Sequence, residues 1–235
     1  MYSREQFAKM IDHTVLRPLA ARDDILRVCD EAAQRHFAAV CIFPCWVGTA
    51  SRRLEGSDVK VCTVISFPFG ADTRTAKIFA IRNSIANGAQ EIDMVMNLPK
   101  FKSGDYDGVA REISDAVEAI NITSGLHDSR RVLLKVIIET GVLCDAEKEI
   151  ASRLVRDAGA DFIKTSTGTG SGGALADDIR LIRRAVGSST VGIKASGGIK
   201  NVDQALTLLN AGANRIGAST GAAIFDAYDP NTWPS

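Results

Sequence analysis

The sequence predicts an α/β fold, a single-domain (β/α)8 TIM barrel covering residues 1–235. Three observations carry that prediction. Short apolar runs alternate with amphipathic stretches of helical period, the signature of repeated βα units and a parallel sheet. Eight such runs occur if the brief Ile11–Thr14 piece is counted, and eight parallel strands in one domain of this length close into a barrel. One helix-to-strand joint recurs three times: Gly88-Ala89-Gln90-Glu91-Ile92, Gly159-Ala160-Asp161-Phe162-Ile163 and Gly212-Ala213-Asn214-Arg215-Ile216. Each is a left-handed glycine stop, an alanine, a polar pair and an apolar strand, which makes a tight αβ turn. A doubly wound open sheet is the alternative, and no GxGxxG follows the first strand to favour it.

The elements follow in order. Ser3 to Met10 reads as a short helical lead-in, and Pro18 stops any long helix after Ile11–Thr14. Arg22 to Arg35 is an amphipathic helix with Ile25, Leu26, Cys29, Ala32 and Ala33 on its apolar side. Strands are expected at Phe37–Phe43 and Val59–Phe67. Asp72 is read as the cap of a helix reaching Asn87, stopped by Gly88. Then come a strand at Glu91–Asn97, a helix at Ser103–Ile120, a strand at Arg131–Glu139 and a helix from Asp145 to Gly159. Asp161–Lys164 and Val191–Lys194 are strands flanking a helix at Ala176–Val186. Asn201 caps a helix ending at Gly212, Asn214–Ala218 is the last strand, and Thr220–Ala227 a short helix. Residues 229–235 read as a loose tail.

Composition narrows the function classes. At 235 residues the chain can bury one large core, and its 46% apolar content is ordinary for a globular domain. Lys+Arg and Asp+Glu balance at 28 each, which gives no support for nucleic acid or an anionic membrane as partner. The five cysteines are irregularly spaced, and no Cys/His pair follows Cys41 and Cys45 at zinc-finger spacing. Buried free thiols in a reducing compartment are the expectation. The first residues lack a signal sequence, and no apolar run approaches the ~18 residues of a membrane span. A soluble cytoplasmic protein is expected, with no metal, no cofactor and a possible homodimer.

Side-chain parity locates the chemistry. Strand neighbours alternate faces, so Ile92, Met94 and Met96 oppose Asp93, and Leu134, Val136 and Ile138 oppose Lys135. Ile163 opposes Lys164, and Val191 and Ile193 oppose Lys194. Three lysines and an aspartate thereby gather on the inner face, near the C-terminal mouth where catalytic groups of this fold sit. Lys164 and Lys194 end successive strands. Two ammoniums ~5 Å apart at an effective dielectric of ~20 repel by about 3.3 kcal/mol, enough to bring one amine from ~10.4 toward ~8. A free amine in a barrel mouth suits Schiff-base chemistry on a carbonyl.

Glycine- and hydroxyl-rich segments follow the late strands: Thr165-Ser166-Thr167-Gly168, Ser196-Gly197-Gly198 and Gly217-Ala218-Ser219-Thr220. The last two loops of such a barrel are its usual phosphate site, so a phosphorylated substrate is expected. Asp12 and Thr14 end the first strand at the same rim, where Asp12 pairs with a lysine or caps a helix. Cys41 is either a structural thiol or a neighbour of the site. His13, His36 and His127 lack metal-ligand spacing, and Asp23-Asp24 and Asp177-Asp178 read as helix-start charges.

These segments together closely resemble the deoxyribose-phosphate aldolases, a family of metal-independent class I aldolases. The resemblance runs in order through Ile11-Asp12-His13-Thr14, Ala39–Ile42, Val61–Phe67, Glu91–Val95, Leu134–Thr140, Phe162–Gly168, Gly192–Gly198 and Arg215–Ser219. It implies reversible cleavage of 2-deoxy-D-ribose 5-phosphate to acetaldehyde and glyceraldehyde 3-phosphate. It implies Lys164 as the Schiff-base residue, Lys194 as the cation that tunes it, and Asp93 as a proton relay working with a water. Asp12 becomes the partner of Lys194, Thr14 and Thr167 lie near the sugar hydroxyl, and Gly168, Gly197, Gly198 and Ser219 hold the phosphate. Some members end in a tyrosine that reaches the site; here the last tyrosine, Tyr228, is followed by Asp229–Ser235 and departs from that pattern. A related lyase or isomerase acting on another sugar phosphate, and a non-catalytic phosphometabolite-binding barrel, are the other readings.

Overall fold

The structure, a computed structural model, describes residues 2–127, 131–170 and 172–231. Eight parallel strands close a barrel in chain order: β1 Ile11–Val15, β2 Ala39–Ile42, β3 Lys60–Ile65, β4 Glu91–Val95, β5 Leu133–Ile137, β6 Phe162–Lys164, β7 Gly192–Ser196 and β8 Arg215–Ala218. Closure is made by β8 on β1, with Ile216 opposite Ile11 and Gly217 opposite Asp12. The α/β barrel expected from the βα repeat is therefore the fold.

The helices among the described residues are α1 Arg4–Ala8, α2 Arg22–Arg35, α3 Val47–Arg53, α4 Arg74–Ala86, α5 Leu98–Lys102, α6 Tyr106–His127, α7 Asp145–Asp157, α8 Ala176–Val186, α9 Val202–Asn210 and α10 Gly221–Asp226. The three glycine stops adopt the left-handed backbone their motif demands, with φ of 105° at Gly88, 84° at Gly159 and 113° at Gly212. At Gly88 a Cβ would also meet Ser51 Oγ at 2.3 Å, so neither conformation nor space admits a side chain.

Local expectations are corrected at three places. The cap of α4 is Thr73, whose hydroxyl accepts from the Ala76 N–H, and not Asp72. The expected Ser103–Ile120 helix is α6, which starts at Tyr106 and runs on to His127, and the short helix α5 precedes it where none was expected. Asn97 caps α5 and Pro99 opens it, then Gly104 at φ 81° breaks the path before α6 begins. Pro44–Trp46 and α3 fill a stretch left without an element; both are too short for periodicity to reveal. Of the tail, residues 232–235 lie outside the described residues, and Asn231 N–H turns back onto Asp229 Oδ1 at 2.8 Å.

Strand parity sorts two cores. Val40, Ile42, Val61, Ile92, Met94, Val136, Ile163, Ile193 and Ile216 point outward and join the helices in one large apolar layer. Among the described residues the inner face carries a small apolar group, Ala39, Cys41, Cys62 and Val64, with Leu16, Phe43 and Phe67 against it, and buried Val95 and Ile137 share its parity. Between them the barrel interior is ionic. Among the described residues no helix is long and apolar enough to cross a membrane.

Candidate active site

Period-two alternation brings seven charged side chains into one buried cluster. β1 supplies Asp12, β4 Glu91 and Asp93, β5 Lys135, β6 Lys164, β7 Lys194 and β8 Arg215. Lys164 Nζ and Lys194 Nζ each donate to Asp93 Oδ2 at 2.7 Å. Lys194 Nζ also donates to Asp12 Oδ2. Lys135 Nζ donates to Asp93 Oδ1 at 2.9 Å and to Glu91 Oε2 at 2.5 Å. Arg215 forks between Asp12 Oδ1 at 2.7 Å and Glu91 Oε1 at 3.4 Å.

Four cations thus meet three carboxylates, and the pairing sets the charges. Burial pushes the Asp93 carboxyl up, but Lys135, Lys164 and Lys194 together outweigh it and hold it well below the usual range. Burial opposes ionisation of Asp12 as well, and Lys194 and Arg215 overcome it. Burial would lower Lys194, yet Asp12 and Asp93 hold its ammonium above the ordinary lysine range. The sequence arithmetic for two facing ammoniums left out the carboxylate between them. With Asp93 in place, Lys194 is a firmly held cation. Lys164 has the fewest carboxylate partners of the three lysines: one oxygen, shared.

The cluster opens at its C-terminal end into a cavity of about 690 Å³. Among the cluster's residues only Lys164 lines it, together with Thr14, Thr167, Gly168, Gly197, Gly198, Ser219 and Lys200. Asp93 and Lys194 lie just beneath. Lys135 is deeper than expected, fully buried against Glu91 and away from the mouth. Cys41 does not reach the cavity either; its sulfur lies 3.8 Å from Asp93 Oδ2.

The glycine-rich loops are cross-tied. Thr165 Oγ1 donates to Ser196 O and accepts from Ser196 N–H, both at 3.1 Å, and Ser196 Oγ donates to Ser166 O at 2.6 Å. Glu139, in the left-handed region at φ 56°, accepts from the Thr167 N–H at 3.0 Å. These ties fix the wall that carries Thr167 and Gly168 beside Lys164. Gly197 and Gly198 sit at φ 94° and 74°, and a Cβ on nearby Gly173 would strike Gly197 O at 2.5 Å, so this wall is built of bare backbone.

Several features escaped sequence reasoning. Glu91 and Arg215 share inner-face parity with Asp93 and Gly217, which was the available signal; each looked like part of a turn's polar pair. Cys62 stood inside an apolar run, yet its thiol donates to Asp93 Oδ1 at 3.1 Å. Linear spacing showed no metal-ligand set, whereas folding gathers Cys41, Cys62 and Asp93, and separately Asp12, Cys62 and Glu91. Ammoniums already hydrogen-bond the carboxylates of both groups, which opposes a divalent cation there. Cys29, Cys41 and Cys62 are buried as expected, but Cys45 and Cys144 are exposed. Tyr228 is committed elsewhere: its hydroxyl donates to Tyr2 O at 2.6 Å and its ring packs on Phe7 at 4.2 Å.

A buried amine at the floor of a polar cavity, beside a carboxylate and below bare-backbone loops, suits covalent chemistry on a phosphorylated carbonyl compound. Comparison with known proteins agrees. The sequence pattern of the DeoC/LacD family aldolases matches residues 7–227. A deoxyribose-phosphate aldolase of a Thermoanaerobacter species is 47% identical over 222 residues, 94% of this chain and 96% of the relative. That of Enterococcus faecalis is 49% identical over 216 residues, 92% and 94% of the two chains. A solved structure described as a unique tetrameric deoxyribose phosphate aldolase from Aeropyrum pernix superposes with a TM-score of 0.86 at 30% identity, covering 98% of this chain and 94% of that one. With a family pattern spanning every strand of the barrel and relatives matched almost end to end, this chain belongs to the DeoC/LacD family of aldolases.

Proposed function

We propose that this lyase reversibly cleaves 2-deoxy-D-ribose 5-phosphate to acetaldehyde and D-glyceraldehyde 3-phosphate, with Lys164 as the Schiff-base nucleophile. The observation that carries the assignment is the position of Lys164, the one cluster residue that lines the cavity. Its Nζ attacks C1 of the open-chain aldehyde, and loss of water leaves an iminium. The C3 hydroxyl then gives its proton to Asp93 through a water. The C3 oxygen forms a carbonyl, the C2–C3 bond breaks, and its electrons make an enamine as the iminium pair settles on nitrogen. Protonation at C2 and hydrolysis release acetaldehyde. The iminium nitrogen is the electron sink, so the scheme calls for no metal or cofactor.

Asp93 suits the relay because its basicity changes during the reaction. In the free enzyme three ammoniums depress its proton affinity. As the iminium becomes a neutral enamine, one of those charges disappears and the carboxylate becomes a better base. Lys194 stays cationic under Asp12 and keeps the relay in place. Thr14 and Thr167 are positioned to meet sugar hydroxyls, and the Gly168, Gly197-Gly198 and Ser219 loops to take the phosphate.

Borohydride reduction in the presence of acetaldehyde tests the nucleophile. An N-ethyl group on the Lys164 peptide is expected; an adduct confined to Lys135 or Lys194 overturns the assignment. We further infer a single folding domain over residues 1–235, a cytoplasmic location supported by the free thiols, and a homodimer. The tetrameric description of the Aeropyrum pernix relative supports self-association. Sedimentation as a monomer at assay concentration would refute it.

A further inference from the structure

Cys41 and Cys62 face each other in register on β2 and β3, both wholly buried on the inner face. Their sulfurs and a carboxylate oxygen of Asp93 all lie within 4.8 Å of one another. Cys62 Sγ donates to Asp93 Oδ1 at 3.1 Å, and Lys135 Nζ stands 3.4 Å from the same sulfur. No aldol step uses either thiol. The ammoniums that oppose a metal here favour a thiolate, and only one carboxylate separates the pair from Lys164, which the substrate must reach.

We propose that Cys41 and Cys62 form a peroxide-sensitive dithiol, which closes to a disulfide across β2 and β3 and switches the active site off. The Cys41 thiolate attacks one oxygen of hydrogen peroxide; the O–O bond breaks, leaving a sulfenic acid and a hydroxide that takes up a proton. The Cys62 sulfur then attacks Cys41 Sγ, the S–O bond breaks, and the departing hydroxide takes the Cys62 proton and leaves as water. Two thiols and one peroxide yield one disulfide and two waters.

The roles follow from the surroundings. The interaction with Cys62, helped by Lys194 against the effect of burial, holds the Cys41 thiol below its ordinary range. Burial, the Cys41 interaction and Asp93 push the Cys62 thiol well up, so it waits protonated as the resolving partner. A disulfide needs its Cα atoms about 4.4–6.8 Å apart, and adjacent strands stand about 4.8 Å apart, so the backbone spacing allows the two thiols to close the bond. Forming it withdraws the Cys62 donor from Asp93, the group that holds Lys164 and Lys194.

The activity arm of the test rests on the aldolase reading; the disulfide itself is read by mass. The full chain carrying Cys45→Ser and Cys144→Ser, which lacks the exposed thiols, is treated with hydrogen peroxide. It is then mapped without reduction and assayed before and after dithiothreitol. The expected result is a Cys41–Cys62 linked peptide lacking two hydrogens, loss of aldolase activity, and recovery of both thiols and activity on reduction. In the same background Cys62→Ala should give oxygen addition at Cys41 without a link, and a loss that reductant no longer repairs once two oxygens are added. Peroxide treatment that leaves both thiols intact, or oxidises Cys41 without linking it, overturns the dithiol. A linked peptide with unchanged activity overturns the switch. A chain inactive before treatment would count against the aldolase reading and leave the mass result to decide the disulfide.

Discussion

Lys164 and Lys194 stand opposite one another in register and share a single carboxylate oxygen, Asp93 Oδ2, 2.7 Å from each amine. Removing one cation changes the electrostatics of the other directly. Lys194→Leu takes a positive charge from beside Lys164, which favours protonation of that amine and shifts the pH profile of acetaldehyde trapping to higher pH. At neutral pH the aldolase rate should fall about 100-fold or more, with partial recovery in alkali. A loss of equal size at every pH would mean that Lys194 acts other than through its charge.

The phosphate prediction concerns the bare-backbone wall. Gly198→Val places a β-branched side chain at φ 74°, and Ser219→Glu puts an anion where the phosphate is proposed to bind. Both should damage use of deoxyribose 5-phosphate far more than use of unphosphorylated deoxyribose, because remote binding energy positions the reacting carbons. Trapping of acetaldehyde on Lys164 should persist. Equal losses for the two sugars would place the phosphate elsewhere.

Arg215 is predicted to matter chiefly for stability. Its guanidinium forks between Asp12 and Glu91, and removing one partner of a buried ion pair costs about 3–5 kcal/mol. Arg215→Met should lower the urea midpoint accordingly. Arg215→Lys should recover only part of the loss, since one ammonium cannot span both carboxylates as the planar fork does. An unchanged midpoint in the Met variant would show that the pair is dispensable.

The charged and apolar interiors differ in how plainly they could be read. Parity shows Asp93, Lys135, Lys164 and Lys194 on one face because a strand's period is two and each follows an apolar residue of the opposite face. Glu91 and Arg215 had the same parity, but each opens its strand directly after a turn, where a charged residue is ordinary. Which cation meets which anion was not readable: Asp12 reaches Lys194 across 182 positions, a contact created only when β8 returns to β1. The short helices α3 and α5 lack the length to show a period. The place of Tyr228 is not readable from local sequence for a similar reason, since its partners Tyr2 and Phe7 lie at the opposite end of the chain.

Acid should unfold the protein in two stages. His13 is buried, which lowers its proton affinity despite the Glu31 carboxylate at 2.6 Å; Arg27 on the same helix adds to the lowering. The unfolded histidine titrates near 6.5, so below that pH the unfolded chain binds the extra proton and stability falls as pH falls. Asp12 and Asp93 are depressed, so their contribution is complete above about pH 4 and is lost below it. Melting temperature against pH should show both declines, and His13→Asn should remove the upper one alone. Persistence of the upper decline in that variant would assign it to another group.

The ionic filling of the barrel also bears on how this protein responds to temperature. Most barrels of this kind plug their interior with Val, Ile and Leu layers, whose exposure on unfolding raises the heat capacity, whereas polar exposure lowers it. Replacing hydrocarbon by Asp12, Glu91, Asp93, Lys135, Lys194 and Arg215 therefore shrinks the unfolding heat-capacity increment relative to chain length. A smaller increment flattens the stability curve, so stability changes slowly on either side of its maximum. The cost of desolvating buried charges also falls on warming. Calorimetry should find a heat-capacity change below the ~12–15 cal/mol/K per residue typical of globular proteins, and with it a wide thermal plateau on which the folded barrel persists.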